Sequence, residues 1–212
     1  MFNKHKIIKD ECMLTGCFKK KGYDWWWHSF TARDAETNEE KPFFLEFFVV
    51  NPGKAQDRPT FGQLGETPSY LMVKIGTWGK NKTQVHNFYP WKDVKLRGKA
   101  PFSVEANGCY LDEYSTYGHA KVTEEEANAH PEYMCGAGEF EWNLKIQKDI
   151  AWNVGYGTSR LFRFLKAFEM YWHAEGMKTF YEGYVIYNGR RYIVSKENCY
   201  VYADKNWGRN FT

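Results

Sequence analysis

The segment Tyr202-Ala203-Asp204-Lys205-Asn206-Trp207-Gly208 sets one carboxylate among aromatic rings just after a hairpin. A carboxyl crowded by rings loses hydration, its pKa rises, and it becomes able to act as a general acid. Asp204 is therefore the first candidate acid. A turn in which Asp204 accepts backbone hydrogen bonds beside Asn206 and Gly208 is the competing reading. Two more carboxylates stand in apolar stretches, Glu46 between Leu45 and Phe47, and Glu182 shortly before Tyr184. Both join the candidate acids, although Glu46 equally suits an ion pair with Arg160, Arg163 or Arg191, because buried charges need partners.

The run Trp25-Trp26-Trp27 supplies rings. In a strand Trp25 and Trp27 share one face and Trp26 takes the other, so one face can be core and the other a ligand wall. Indole faces attract cations by about 0.5–2 kcal/mol each. With Tyr184, Tyr202 and Trp207 these three form the candidate ligand contacts, a set suited to a quaternary ammonium, a carbocation or a sugar. His119, His130, Cys135 and His173 lack the tight spacing of a zinc site, so no metal is expected. Gly155-Tyr156-Gly157-Thr158-Ser159 lacks the lysine and the spacing of a nucleotide cradle and reads as a turn. The chain has no Gly-x-Ser-x-Gly elbow, which disfavours serine hydrolase chemistry.

These side chains sit on a chain that reads as all-β with one helical insert. Strands are expected at 23–31, 43–50, 70–75 and 83–89, with a hairpin across Asn107-Gly108. Phe140, Trp142, Leu144 and Ile146 alternate with Glu141, Asn143, Lys145 and Gln147, which gives a strand with one buried and one wet face. A two-residue loop at Asn188-Gly189 pairs Tyr187 with Arg190, Val185 with Tyr192 and Tyr184 with Ile193. The prolines and glycines between Asn51 and Pro68 mark a long loop, a lid candidate. Thr123-Glu124-Glu125-Glu126 fits a capping box that Pro131 stops. Leu161, Phe164, Leu165 and Phe168 at helical spacing predict a helix over 161–172, ending at Gly176.

Composition bounds the partners. With 212 residues the chain is long enough for a sizeable core, and 19% aromatic content exceeds what a core alone requires. A net charge of +3, spread along the chain, is no phosphate-tracking footprint, so nucleic acid is not an expected partner. Five cysteines without a pairing pattern and no apolar segment after Met1 point to a reduced, cytoplasmic setting.

Gly22 to Trp27, Phe43 to Pro52, Trp172-His173-Ala174-Glu175-Gly176 and above all Asp204-Lys205-Asn206-Trp207-Gly208 resemble the tocopherol cyclase family, a lipocalin-like group related to carotenoid hydratases. The likeness covers most of the chain in order. It implies a lipocalin-like antiparallel β-barrel or sandwich, with residues 1–212 forming one lobe, the first of two. It also implies a cofactor-free reaction, in which a buried acid protonates an isoprenoid double bond and a phenolic hydroxyl captures the cation. On matching positions Asp204 becomes the proton donor, with Trp207, Tyr202 and Trp25 to Trp27 shielding the cation. The expected partner is a small hydrophobic or amphipathic isoprenoid, met with transient contact at a membrane surface. The alternative is a non-enzymatic lipocalin-like carrier in which the same rings supply hydrophobic area.

Overall fold

Among the described residues the alternation of apolar and polar side chains resolves into thirteen strands of one antiparallel sheet. The computed structural model describes residues 2–4, 10–14, 21–52, 54, 57–62, 65–152, 160–165 and 167–209. The strands are β1 (Phe2–Lys4), β2 (Gly22–Asp34), β3 (Glu40–Val50), β4 (Tyr70–Thr77), β5 (Thr83–Tyr89), β6 (Val94–Arg97) and β7 (Ser103–Ala106). They continue as β8 (Cys109–Asp112), β9 (Ser115–Val122), β10 (Gly138–Trp152), β11 (Met170–Tyr187), β12 (Arg190–Val194) and β13 (Val201–Arg209). Two short α-helices among the described residues interrupt them, α1 (Glu124–Ala129) and α2 (Arg160–Phe164). No helix among the described residues is long and apolar enough to cross a membrane.

The strand order is β5-β4-β3-β2-β12-β11-β10-β9-β8-β7-β6, and β13 also lies between β2 and β11. Both β12 and β13 run antiparallel to β11, so they form one interrupted strand. The sheet curls into a lipocalin-like barrel, closed where β5 meets β9 and the segment after α1. There Gly136 N donates to Gln84 O at 2.8 Å, Thr83 Oγ1 to Ala137 O at 3.1 Å and Asn87 Nδ2 to Lys121 O at 3.3 Å.

Period-two patterning decides what lies inside. Phe140, Trp142, Leu144 and Ile146 of β10 are buried while Glu141, Asn143, Lys145 and Gln147 are exposed. Trp26 and Phe30 from β2, Phe43 and Phe47 from β3, and Tyr181 from β11 join them to fill the interior. The hairpin register at Asn188-Gly189 is as the turn predicts, with Tyr187 opposite Arg190, Val185 opposite Tyr192 and Tyr184 opposite Ile193. Thr123 caps α1 with both halves of a capping box. The expected helix over 161–172 is corrected: α2 ends at Phe164, and Met170 begins β11, which pairs with β13 from Met170–Gly208 onward. Leu161, Phe164 and Leu165 are 59%, 82% and 59% exposed, so their helical spacing finds no core to face and nothing extends the helix. The Gly155–Ser159 turn and Cys17 fall outside the described residues.

At Gly183 the backbone of β11 lies close against β10, opposite Leu144. A Cβ there would stand 2.0 Å from the Asn143 carbonyl oxygen, and its φ of +148° disfavours side chains. Gly183→Ala is expected to cost about 3 kcal/mol or more. A guanidinium midpoint that moves down with an unchanged slope would show it.

Candidate functional site

Asp204 lies in β13, inside the sheet ladder opposite Trp27, and not in a turn. Alternation along β13 sends Asp204 outward and its neighbours Lys205 and Trp207 inward. The Tyr202 hydroxyl donates to Asp204 Oδ2 at 3.1 Å, and Asn206 Nδ2 approaches Oδ1 at 3.5 Å. The indole N–H of Trp172 also acts on this carboxyl. Burial raises its pKa, and these donors and the nearby His173 pull the other way. The result is an acid that holds its proton more firmly than a solvated aspartate, with donors already in place to receive the negative charge when the proton leaves.

Glu46 shares this outer face. It is 4% exposed, and its pKa is raised by burial, with Asp204 adding to the rise and Lys74 opposing it. Its ion-pair partner is Lys74 of β4, which corrects the expected pairing with Arg191; the side chains of Arg160 and Arg163 lie outside those described. The register explains the choice, because Glu46 stands directly opposite Lys74. The Lys74 ammonium also lies 5.7 Å from the centroid of Trp27.

Aromatic side chains bank this pair of acids on two sides. Trp27 stacks on Phe44 at 5.1 Å and 10°, and Phe44 meets Trp78 at 4.7 Å. On the other side Trp25 packs against Phe48 at 5.5 Å within a second cluster with Tyr23, Tyr70 and Met72. The described part of the 51–68 loop lays Phe61 over that cluster, 5.5 Å from Tyr70 and 4.9 Å from Phe88. Gly76 lets the Phe44 ring lie flat on β4, since a Cβ there would stand 2.5 Å from Phe44 Cζ.

The other expected site residues lie elsewhere. Glu182 faces solvent on the wet side of β11, 54% exposed and 3.9 Å from Lys196, so nothing desolvates it and it does not join the acids. Tyr184 donates to Glu141 at 2.9 Å and stacks under Arg191 at 3.9 Å, on a different part of the surface. Trp26 points into the barrel, stacked on Phe102 at 4.6 Å. Trp207 stacks on Tyr171 at 5.5 Å and 8°, on the opposite face of β13 from Asp204. Of the expected set, Asp204, Glu46, Trp25, Trp27 and Tyr202 come together. Trp172 is the residue that sequence reasoning missed, because its segment read as helix. A cleft of about 400 Å³ lined by Asp34, Lys41, Trp78, Arg190 and Tyr192 opens beside the Trp78 end of this face; Asp204 does not line it.

A second polar group fills one end of the interior. Lys148 pairs with Asp10 at 3.2 Å and Glu175 at 3.1 Å, all three buried, and His173 lies 3.7 Å from Asp10. His28 Nδ1 hydrogen-bonds the Tyr181 hydroxyl. This group ties down residues 10–14, where Trp26 Nε1 donates to Asp10 O at 2.8 Å and Met13 N to Asp24 Oδ2 at 2.7 Å. Enclosure by β2, β10, β11 and that segment makes it a structural network. Among the described residues no group of three His, Cys, Asp or Glu side chains is placed to hold a metal ion.

Burial pushes the His28 imidazole down to about 3, with Lys148 acting in the same direction. Its ordinary value is near 6.5, so the stability it confers is complete above that pH and is lost as pH falls toward 3. The advantage of the wild type over His28→Asn, which keeps an acceptor toward Tyr181, is expected to shrink by about 2 kcal/mol between pH 7 and pH 5. Denaturant titrations of both proteins at the two pH values measure it.

No family profile and no curated protein matches the chain. Two solved structures do. A Nitrosomonas europaea protein assigned provisionally as AttH has a TM-score of 0.50 at 10% identity, over 92% of this chain and 54% of its own. Kievitone hydratase from Nectria haematococca has a TM-score of 0.50 at 9% identity, over 99% of this chain and 57% of its own. At these identities the likeness establishes the fold, and the chain spans just over half the length of each relative.

Proposed function

We propose that this chain is the acid-bearing lobe of a cofactor-free enzyme that protonates a carbon–carbon double bond of a hydrophobic or amphipathic isoprenoid. The observation that carries the reading is Asp204, a desolvated carboxyl held by Tyr202 and Trp172 on an aromatic face that includes Trp25 and Trp27. The Asp204 proton passes to one alkene carbon, the π bond breaks, and the positive charge falls on the more substituted carbon. Trp25, Trp27 and Trp172 present rings to that charge, each worth about 0.5–2 kcal/mol. Capture by a hydroxyl of the same molecule closes a ring, and capture by water gives an alcohol; either releases a proton that restores the Asp204 carboxyl. One structural relative, kievitone hydratase, is by name a hydratase, which fits the first half of that scheme, since adding water to an alkene begins with protonation.

Cyclisation of a prenylated phenol is the specific form we favour, on the resemblance carried by the Asp204–Gly208 block. We read the chain as the first of two such lobes, in keeping with its spanning just over half of each relative. The exposed Leu161, Phe162, Phe164 and Leu165, close in the chain to Trp172, suit transient contact with a membrane surface from which such a molecule would be drawn.

Turnover in deuterated water tests the reaction. A prenylated phenol or polyene should gain one deuterium on the carbon that accepts the proton. A protein that binds these compounds and leaves them unlabelled is a carrier, and the enzyme reading fails.

A further inference from the structure

The outer face carries a line of side chains that the acid chemistry alone does not use. Registers place Asp204 opposite Trp27, Trp27 opposite Glu46, Glu46 opposite Lys74 and Lys74 opposite His86, one residue from each of β13, β2, β3, β4 and β5. Glu46 and Asp204 are two strand spacings apart, about 10 Å. The flanking row on one side is Trp25, Phe48, Met72 and Phe88, and on the other Phe44 lies over Gly76. The line is thus a polar seam between two aromatic banks.

Its far end is chemically specific. The Lys74 side chain is 19% exposed and leans back over Trp27, and Glu46 engages only part of an ammonium that carries three protons. The Nε2 atom of His86 is buried and has no hydrogen-bond partner among the described residues. The backbone N–H of His86 is already taken by Cys135 Sγ at 3.1 Å. Burial, with Lys74 beside it, pushes the imidazole down to about 4, so near neutral pH it is an uncharged ring able to accept a hydrogen bond.

The geometry points to a head-group subsite at Lys74, Glu46 and His86 that takes the hydroxyl of an amphipathic ligand, an alcohol or phenol, while its apolar chain runs along Trp27 toward Asp204. Lys74 donates to the hydroxyl oxygen and the hydroxyl donates a hydrogen bond to His86 Nε2. A carboxylate head would meet the Glu46 charge, and a head without a proton would leave Nε2 unpaired. The subsite rests on the reading of Asp204 as the acid only for the direction in which the chain runs; Lys74 and His86 stand three and four strand spacings from Asp204, about 14–19 Å, so the hydroxyl held there is a distal one and not the hydroxyl that captures the cation.

Equilibrium binding of geranylgeraniol and of its methyl ether, followed by quenching of tryptophan emission, tests the subsite. The alcohol is expected to bind at least tenfold more tightly than the ether. His86→Phe, which keeps ring volume, should bring the ratio to within twofold, whereas Lys74→Met should weaken both compounds and leave the ratio in place, because an ether oxygen accepts from the ammonium as an alcohol oxygen does. Asp204→Asn should leave the ratio unchanged. Equal affinity for the two compounds, no binding of either, or a ratio that survives His86→Phe overturns the proposal. A preserved ratio in a protein that incorporates no deuterium would instead sink the acid reading and leave the subsite standing.

Discussion

Asp204→Asn is expected to lower turnover of a prenylated phenol by about 10²- to 10⁴-fold, the range a positioned general acid supplies. Asparagine keeps the size of the side chain and can still accept from the Tyr202 hydroxyl, which stands 3.1 Å from Oδ2 in the native protein. What it loses is a transferable proton. Fold and ligand affinity should therefore change little, so the loss falls on kcat and not on KM. In the wild type the pH profile should follow the acid: burial raises the Asp204 pKa, the protonated form is the active one, and rate falls as pH rises through that value. The profile should lose that limb in Asp204→Asn. Equal kcat in the two proteins would place the proton donor elsewhere.

Lys205→Met is expected to be the most damaging single change to stability. Lys205 and Asp24 form an ion pair with both side chains wholly enclosed. The Lys205 ammonium also lies 4.1 Å from the Trp26 ring centroid and 5.5 Å from that of Trp207. Removing one partner of a buried pair leaves an uncompensated charge and costs about 3–5 kcal/mol. Asp24→Leu combined with Lys205→Met should recover most of that loss, because the remaining cost of a buried pair is largely desolvation. The sign of the pH dependence follows from Asp24, whose pKa burial raises to about 6 against the opposing pull of Lys205. A raised carboxyl stabilises the fold below its ordinary value near 3.8, and that contribution is lost as pH rises through about 6. Without Lys205 the opposing pull is gone, so the single variant should regain stability on acidification more steeply than the wild type. Chemical denaturation of the single and double variants at pH 7 and pH 5 measures both effects.

Much of the fold could be read locally because a strand with one wet face announces itself in every second residue. Phe140 to Ile146, the Asn188-Gly189 turn and the Thr123 capping box are all set within a few residues of chain. The segment from Leu161 to Glu175 misled because Leu161, Phe164, Leu165 and Phe168 repeat at helical spacing while staying exposed. Its outcome depends on β13, a partner some 30 residues away that supplies the ladder for Met170 to Gly176.

The site was legible in its residues and not in its grouping. Asp204 and Trp207 are neighbours in sequence, yet an odd separation in a strand sends them to opposite faces. Asp204, Trp27 and Glu46 meet only through the registers of three strands, which no local pattern fixes. Two signals did lie in the sequence. Lys148 continues the buried register of Phe140, Trp142, Leu144 and Ile146, and Asp24 continues that of Trp26, His28 and Phe30. A charge in the next inward position of such a series marks a buried ion pair, and both residues have one.

The placement of chemistry on the outer wall of the barrel, and not in its interior, is tested most directly by photo-crosslinking with a geranylgeranyl compound that carries a diazirine in its chain, followed by peptide mapping. The outer-face account predicts adducts on Trp25, Trp27, Trp172 or Tyr202, competed away by an unlabelled prenylated phenol. Competed adducts confined to the interior residues Trp26, Phe30, Trp142 or Tyr181 would contradict it.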